Sequence, residues 1–367
     1  MPGCLKRLSA DSPNPGYGRT TVGAAQKSEL FMKPVGVIIL NWNGAALLRR
    51  YLPSVVAGNS DGIADIIVVD NGSDDESRNV LEREFPSVKT LYFNQNYGYA
   101  EGYNRAVRQL GYEYSVLLNS DVAVESGWLE PLYDYVRNHS EVAACQPKII
   151  SDSDRSRFEY AGASGGFLDK HGYPYCRGRI FDTVESDNGQ YDDVVDIFWA
   201  TGAALFVRTA DYLAAGGLDK DFFAHMEEID LCWRIHRLGR KIRVVPKSRV
   251  FHLGGGSLPA GNPRKTYLNF RNNLFLLYKN LPPREGRRML LVRRLYDTLA
   301  FFMFLAKFDL ANAKAVIRAH NDYRRDHHRY DAQRPTESIV GQFACFRRNI
   351  ILSYHLCRRR RFTDLPR

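Results

Sequence analysis

Between Val35 and Leu118 the chain alternates short, unbroken apolar runs with stretches of helical period. The runs are Val35–Leu40, Ile66–Val69, Val88–Phe93 and Ser115–Leu118, rich in β-branched residues and too short for helices. Ala45–Val56, Asp75–Glu84 and Ala100–Gly111 carry the helical spacing, with Ser73 or Asp74 placed to cap the second helix. A strand without polar alternation is covered on both faces. Strands of that kind alternating with helices predict an open, mostly parallel α/β sheet flanked by helices. Such sheets bind ligands beyond the carboxyl ends of their strands. Here those ends read Asn41-Trp42-Asn43, Asp70-Asn71-Gly72, Asn94-Gln95-Asn96 and Asn119-Ser120-Asp121, all of them polar.

From Cys145 to Val207 the pattern loosens into short strands, scattered Gly and Tyr, and an acidic stretch around Asp182–Asp196. This reads as a variable loop region that ends in a strand near Ala203–Val207. A helix is expected within Asp219–Gly239, closed by Gly239, followed by two short strands at Ile242–Val245 and Arg249–His252.

Residues 256–367 differ in charge. They hold 23 Lys and Arg against 8 Asp and Glu, a balance of +15, while the rest of the chain balances at −5 within the total of +10. A basic surface attracts nucleic acid, anionic lipid or phosphorylated ligands. In the same region Leu291, Leu295, Leu299, Phe302 and Ala306 recur at helical spacing, with Arg293, Arg294 and Lys307 beside them. The apolar stretch Leu299–Ala306 is too short to span a bilayer. Two readings stand: a helix lying in a membrane interface, or a helix packed on the preceding domain with its basic face in water. Arg358–Arg361 form a second basic cluster near Ile350–Leu352.

A chain of 367 residues suffices for one large α/β domain with an extension. Its 6 cysteines form no CxxC pair, so reduced thiols and a cytoplasmic setting are expected. The first residues lack the apolar core of a secretory signal, and DSPNPGYG reads as disordered. The expected organisation is a disordered leader at 1–33, with Met32 as an alternative start, a catalytic domain at 34–280, and a basic amphipathic helical extension at 281–367.

Five segments carry the chemistry: VIILNWNG at 37–44, VVDNGSDD at 68–75, NQNYGYAEGYNRA at 94–106, LLNSD at 117–121 and EEIDLCWR at 227–234. In this order and approximate spacing the chain resembles the family 2 inverting glycosyltransferases of the Rossmann-like GT-A fold, over about residues 35–280. The rhamnosyltransferase-like branch acting on bacterial surface polysaccharides is the nearest in pattern.

The resemblance implies a role for each motif residue. It assigns Asp70 to the nucleotide base, and Asn41, Asn43, Asn96, Gly98, Asn104 and Asn119 to the nucleotide-sugar pocket. Asp121 falls on the DxD-type motif as direct ligand of a divalent cation, Mg2+ or Mn2+, with Asn119 in place of the first Asp. His252 is implied as a further ligand. The catalytic base of the family falls on Glu228, with Glu227 as the alternate. Trp199, Thr201 and Gly202 in FWATGAAL, together with Asp230, fall on the acceptor side. Arg271, with Tyr267 and Asn272 in TYLNFRNN, is expected to contact the diphosphate.

Structural readings stand beside these. Asp-Asn-Gly-Ser is good turn chemistry, Asp121 suits a helix cap, Asp230 and Arg234 form an i,i+4 pair, and tryptophans are usually buried. The implied function is transfer of a sugar from a nucleoside-diphosphate sugar to a saccharide acceptor, lipid-linked in the reading favoured by the basic C-terminal region. That reading puts the chain at an anionic membrane surface on the cytoplasmic side. A sugar-nucleotide nucleotidyltransferase would want a basic Gly-rich loop after the first strand, and NWNGAALL has no lysine. A nucleic-acid-binding protein is the third alternative, but no helix-turn-helix, zinc-finger or RNP-type motif is present, and nucleic acid is not expected as a partner.

Overall fold

The computed structural model describes residues 33–59, 62–254 and 261–366. The leader and the Met32 start lie outside them. The apolar runs form β1 (Val35–Asn41), β2 (Ala64–Asp70), β3 (Lys89–Tyr92) and β4 (Tyr114–Asn119). Their helices are α1 (Ala45–Ala57), α2 (Ser77–Glu84) and α3 (Gly98–Leu110). The chain continues through β5 (Val122–Val124), α4 (Glu130–Asn138) and β6 (Val142–Ser151). The strands β7 (Gly166–Leu168), β8 (Pro174–Cys176), β9 (Arg179–Ile180) and β10 (Thr183–Val184) form a small antiparallel sheet. Next come β11 (Val195–Asp196), β12 (Ala204–Arg208), α5 (Thr209–Ala214), α6 (Glu227–Arg237) and β13 (Lys241–His252).

The main sheet has the order β11-β13-β6-β12-β4-β1-β2-β3, with β5 paired to β13. Strands β3, β2, β1 and β4 are parallel, and β12 enters antiparallel between β4 and β6. The chain winds outward from β1 to β3 and then returns to β4 on the other side of β1. A crevice therefore opens where β1 and β4 end, at Asn41 and Asn119. Both faces of β1 are covered, which is why its run needs no polar alternation. Val35, Val37 and Ile39 pack with α1, α2 and α4 residues such as Leu48, Val80 and Leu132. Ile38 faces α3 and α6 residues such as Tyr103 and Trp233.

Several expectations are corrected. The second helix begins at Ser77, because Asp75 is spent on other amides: one carboxylate oxygen accepts from Ser77 N at 2.9 Å and the other from Ala45 N at 3.0 Å, which anchors the start of α1. The loosened stretch after Cys145 opens with β6, a ten-residue central strand. Its Gln146-Pro147-Lys148 segment hid it. Gln146 is buried and accepts from Thr201 N at 2.9 Å, and Lys148 is buried against Asp187 at 2.9 Å. The two expected strands near 242 and 249 are one strand, β13, whose register shifts between Val244 and Arg249. The helix expected from Asp219 begins only at Glu227, after a 3-10 turn at Lys220–Phe222.

The basic region folds into α7 (Pro263–Asn280), α8 (Pro283–Ala306), α9 (Leu310–Asp326) and α10 (Ile350–His355). Short connections make α7, α8 and α9 antiparallel neighbours. Farther on, Phe343 and Phe346 pack edge-on against Phe198 of the main core. No helix among the described residues is long and apolar enough to cross a membrane.

Candidate active site

The carboxyl ends of β1 and β2 are joined by side chains. Asn41 donates to Asp70 at 3.2 Å, and the other Asp70 oxygen accepts from Ser73 N at 3.2 Å. Both Asn41 and Asp70 are buried, and Asn41 Oδ1 has no hydrogen-bond partner. Asn43 adopts φ 50° and accepts from Asp74 N at 2.9 Å, which ties the two loops together. Asn96 accepts from Gly98 N at 2.7 Å, so it seats the start of α3. Two residues absent from the sequence-derived list join them. Asn71 donates to Asn96 at 2.9 Å, and the Trp42 ring stands 57 % exposed at the lip of β1.

Tyr99, also unlisted, spans the crevice. Its hydroxyl donates to Gly202 O at 2.8 Å and lies 3.3 Å from Asn119 Oδ1. Gly202 must lack a side chain, because a Cβ there would stand 2.8 Å from that hydroxyl and 3.7 Å from Glu228 Cβ. Tyr99 thus touches the strand end that precedes Asp121, and its pKa is raised by burial and then by the charges of Tyr103 and of Glu227 and Glu228 at the start of α6.

On one side of the crevice Asp121 Oδ1 faces His252 Nε2 at 3.2 Å. The pairing of β5 with β13 puts Val122 opposite His252, which fixes this approach. Behind the imidazole, Glu159 stands 3.5 Å from Nδ1 and is itself buried. Burial would lower the His252 pKa, but hydrogen bonds and charge from Asp121 and Glu159 outweigh it and raise the pKa to about 10. At neutral pH the imidazolium therefore donates to Asp121, and a cation held by this pair would have to displace that proton. Among the described residues no group of three or more His, Cys, Asp or Glu side chains could hold a metal.

On the other side Glu227 and Glu228 open α6. Burial raises Glu228 to about 7, and burial followed by the charge of Glu228 pushes Glu227 well above the usual carboxylate range. The Oε2 atoms of both are buried without partners. The preceding loop is strained, with Phe223, His225 and Met226 at φ 67°, 68° and 75°. His225 is driven down to about 4 by burial and then by Lys265, so its imidazole is neutral. Two α7 residues hold the loop in place. Asn272 donates to the carbonyls of Phe222, Ala224 and His225 at 2.9, 2.8 and 2.8 Å. Arg271 donates to those of Asp221 and Phe222, both at 3.0 Å.

Five of the expected site residues are engaged within the fold itself. Arg271 is engaged as a loop clamp, with its guanidinium committed to backbone carbonyls. Asn104 is buried, and its amide is used up on Tyr212 OH at 2.6 Å and on Leu218 N and O at 2.9 and 2.8 Å. Asp230 is fully buried and held by Arg234 at 2.7 Å, Asn280 at 2.8 Å and Lys279 at 2.9 Å. Burial would raise its pKa, but the charges of Arg234 and Lys279 prevail and bring it to about 2. Trp199 lies in the core, donating to Phe167 O at 3.0 Å, so no sugar can stack on it. Thr201 is buried and donates to Ala161 O at 2.7 Å, beside Glu159 in the chain. Among the expected site residues, contacts join Asn41 to Asp70, Asn119 through Tyr99 to Gly202, Asp121 to His252 and Asn96 to Gly98, Asn43 ties the β1 and β2 loops, and Glu227 and Glu228 lie side by side at the start of α6.

Residues 36–192 match the model of the family described as Glycosyl transferase family 2. The N-acetylglucosaminyl-diphospho-decaprenol L-rhamnosyltransferase of Mycobacterium tuberculosis (strain ATCC 25618 / H37Rv) is 25% identical over 232 residues, covering 59% of this chain and 75% of that protein. The rhamnosyltransferase WbbL of Escherichia coli (strain K12) is 25% identical over 163 residues, covering 42% of this chain and 61% of that one. Among solved structures, GalNAc-T7 with UDP, GalNAc and Mn2+ superposes with a TM-score of 0.50 at 16% identity, over 68% of this chain. The match spans 48% of that structure, about half its length, and supports the GT-A fold.

Proposed function

We propose that the chain, whose residues 36–192 match the glycosyl transferase family 2 model, transfers a hexose or deoxyhexose from a nucleoside-diphosphate sugar to a saccharide hydroxyl, with inversion. The acceptor in this reading is carried on a lipid, as the name of the mycobacterial relative states for that enzyme. The product would enter a cell-surface polysaccharide.

The observation that supports the reading is Tyr99, whose hydroxyl bonds Asn119 and Gly202 O and whose pKa is raised by burial and then by the charges of Tyr103, Glu227 and Glu228. In this reading one crevice would hold the Asp121–His252 pair and the carboxylate that takes the acceptor's proton. Asp70 and Asn41 would meet the base and ribose at the β1–β2 end, with Trp42 offering a ring beside them. Asp121 and His252 would hold the divalent cation, Mg2+ or Mn2+, which when bound neutralises the charge on the departing diphosphate.

Glu228 acts on the acceptor. Its carboxylate receives the hydroxyl proton as the acceptor oxygen attacks the anomeric carbon, and the diphosphate leaves from the opposite face in the same step. A base with a pKa near 7 is suited to this work at neutral pH. Glu227, pushed higher and more deeply buried, keeps its proton and leaves the single negative charge to its neighbour. The Asn272 and Arg271 clamp holds this pair at a fixed height over the crevice.

Glu228→Gln tests the reading. Transfer measured with a radiolabelled nucleotide sugar is expected to fall by ~10²–10⁴, while calorimetric nucleoside-diphosphate affinity stays within a few-fold. Turnover like that of the parent chain would remove Glu228 from the role.

A further inference from the structure

Helix α8 buries charge alongside Gly286 and Leu290. Its inward face carries charge: Arg293 and Asp297 are buried and paired at 2.8 Å. Arg293 also donates to Asn273 of α7 at 2.6 Å and lies over the Tyr173 ring at 3.8 Å, while Asp297 bonds His320 of α9 at 2.9 Å. The outward face is apolar. Leu291, Leu295, Leu299 and Phe302 are 64%, 62%, 57% and 58% exposed. Their spacing of four, four and three residues aligns them on one helix face. At 1.5 Å per residue the stripe is about 17 Å long. Phe308, 90% exposed in the turn before α9, and Leu310, 59% exposed at the start of α9, follow it. A surface helix facing water carries the reverse pattern, and a continuous exposed apolar patch marks a docking surface.

The rim of the stripe specifies the partner. Arg287, Arg288, Arg294, Lys307 and Lys314 are all exposed around it. From Arg284 to Leu310 the carboxylates are Glu285, Asp297 and Asp309, of which Asp297 is buried and Asp309 caps α9. A second copy of the same face would set these cations against one another, whereas an anionic bilayer offers both acyl chains for the stripe and phosphates for the rim.

We propose that the outward face of α8 docks the protein on the headgroup–acyl boundary of an anionic lipid bilayer, with α8 lying in the plane of the surface. The stripe's C-terminal end leads toward the Asp121–His252 pair: Asn312, in the first turn of α9, donates to Gly261 O at 3.1 Å just before α7, whose Lys265 feels the charge of Glu159, 3.5 Å from His252. Docking would therefore bring the crevice to the surface from which a lipid-borne acceptor is reached. That last clause rests on the transferase reading, and the docking itself does not.

The test is sedimentation of the full chain with vesicles of phosphatidylcholine alone and of an equal mixture of phosphatidylcholine and phosphatidylglycerol, neither containing a saccharide. The parent chain is expected to bind the mixed vesicles, to bind the neutral ones less, and to lose binding as salt is raised. Leu295→Asp combined with Phe302→Asp is expected to lower partitioning at least about tenfold, with an unchanged melting temperature and nucleoside-diphosphate affinity. Leu213→Asp on α5, at another exposed apolar position, is expected to leave partitioning as it was. Undiminished binding by the double variant would overturn the proposal. So would equal binding to both kinds of vesicle, or a concentration-dependent dimer that the double variant abolishes while neither chain binds lipid. Because no acceptor is present, failure of the transferase reading leaves these outcomes untouched.

Discussion

Two sets of carboxylates sit on the first turn of α6 and are treated in opposite ways. Asp230 is fully buried yet surrounded by Arg234, Lys279 and Asn280, and its pKa is held at about 2. Glu227 is buried and Glu228 half-buried beside it without a cation, each with an unpartnered oxygen, and both are pushed upward. Burial acts on all three in the same direction, so the difference lies in pairing. A carboxylate that the fold has neutralised holds helices together. One that the fold has left wanting a proton can take it from a substrate.

Substitution should separate the two roles sharply. Glu228→Gln is expected to give the largest effect on rate and, because it relieves a buried unpaired acid, to leave the melting temperature unchanged or raised. Asp230→Asn should do the reverse. It strands Lys279 and Arg234 in the core, and destabilisation of about 3–5 kcal/mol is expected in denaturant titration, while the folded fraction keeps its nucleotide affinity. Equal loss of stability in both variants would erase the distinction.

The pH dependence sharpens it further. An unfolded Glu loses its proton near pH 4.3, whereas Glu228 in the folded chain keeps it to about 7. The folded state then binds the extra proton, so this group's contribution to stability is full below the unfolded value and falls as pH rises toward 7. Asp230 has the opposite sign: its contribution is present above about 3.9 and is lost as pH falls toward 2. Unfolding midpoints across pH should flatten at the upper window in Glu228→Gln and at the lower one in Asp230→Asn. The parent chain's kcat/KM should rise through about pH 7 as Glu228 ionises.

The smallest effect belongs to the clamp. Asn272→Ala removes a donor from three loop carbonyls, of which Phe222 O keeps Arg271, and a loss of about 1–3 kcal/mol is expected. If the clamp positions the glutamates, kcat falls while nucleoside-diphosphate affinity, governed by the β1–β4 ends, stays unchanged. A parallel loss of both would assign Asn272 to general stability.

Much of this was legible in the chain itself. Unbroken apolar runs separated by amphipathic stretches specify a covered α/β sheet, and the polar strand ends at Asn41, Asp70 and Asn119 mark the crevice. The exposed stripe of α8 was visible as a periodicity at Leu291, Leu295, Leu299 and Phe302, although its direction was open. Strand β6 was hidden because its buried Gln146 and Lys148 look like loop residues until their partners are known.

The local pattern of apolar and polar residues, acting over a few neighbours, determined the secondary structure and the edge where ligands would bind. Tertiary structure alone decided which polar groups were already satisfied. Asp230 meets Lys279 and Asn280 across 49 and 50 positions, Asn104 meets Leu218 across 114, and Glu159 reaches His252 from a distant loop. A charge in a linear sequence is a donor or acceptor in waiting, and only the approach of remote segments fixes whether it becomes structure or chemistry.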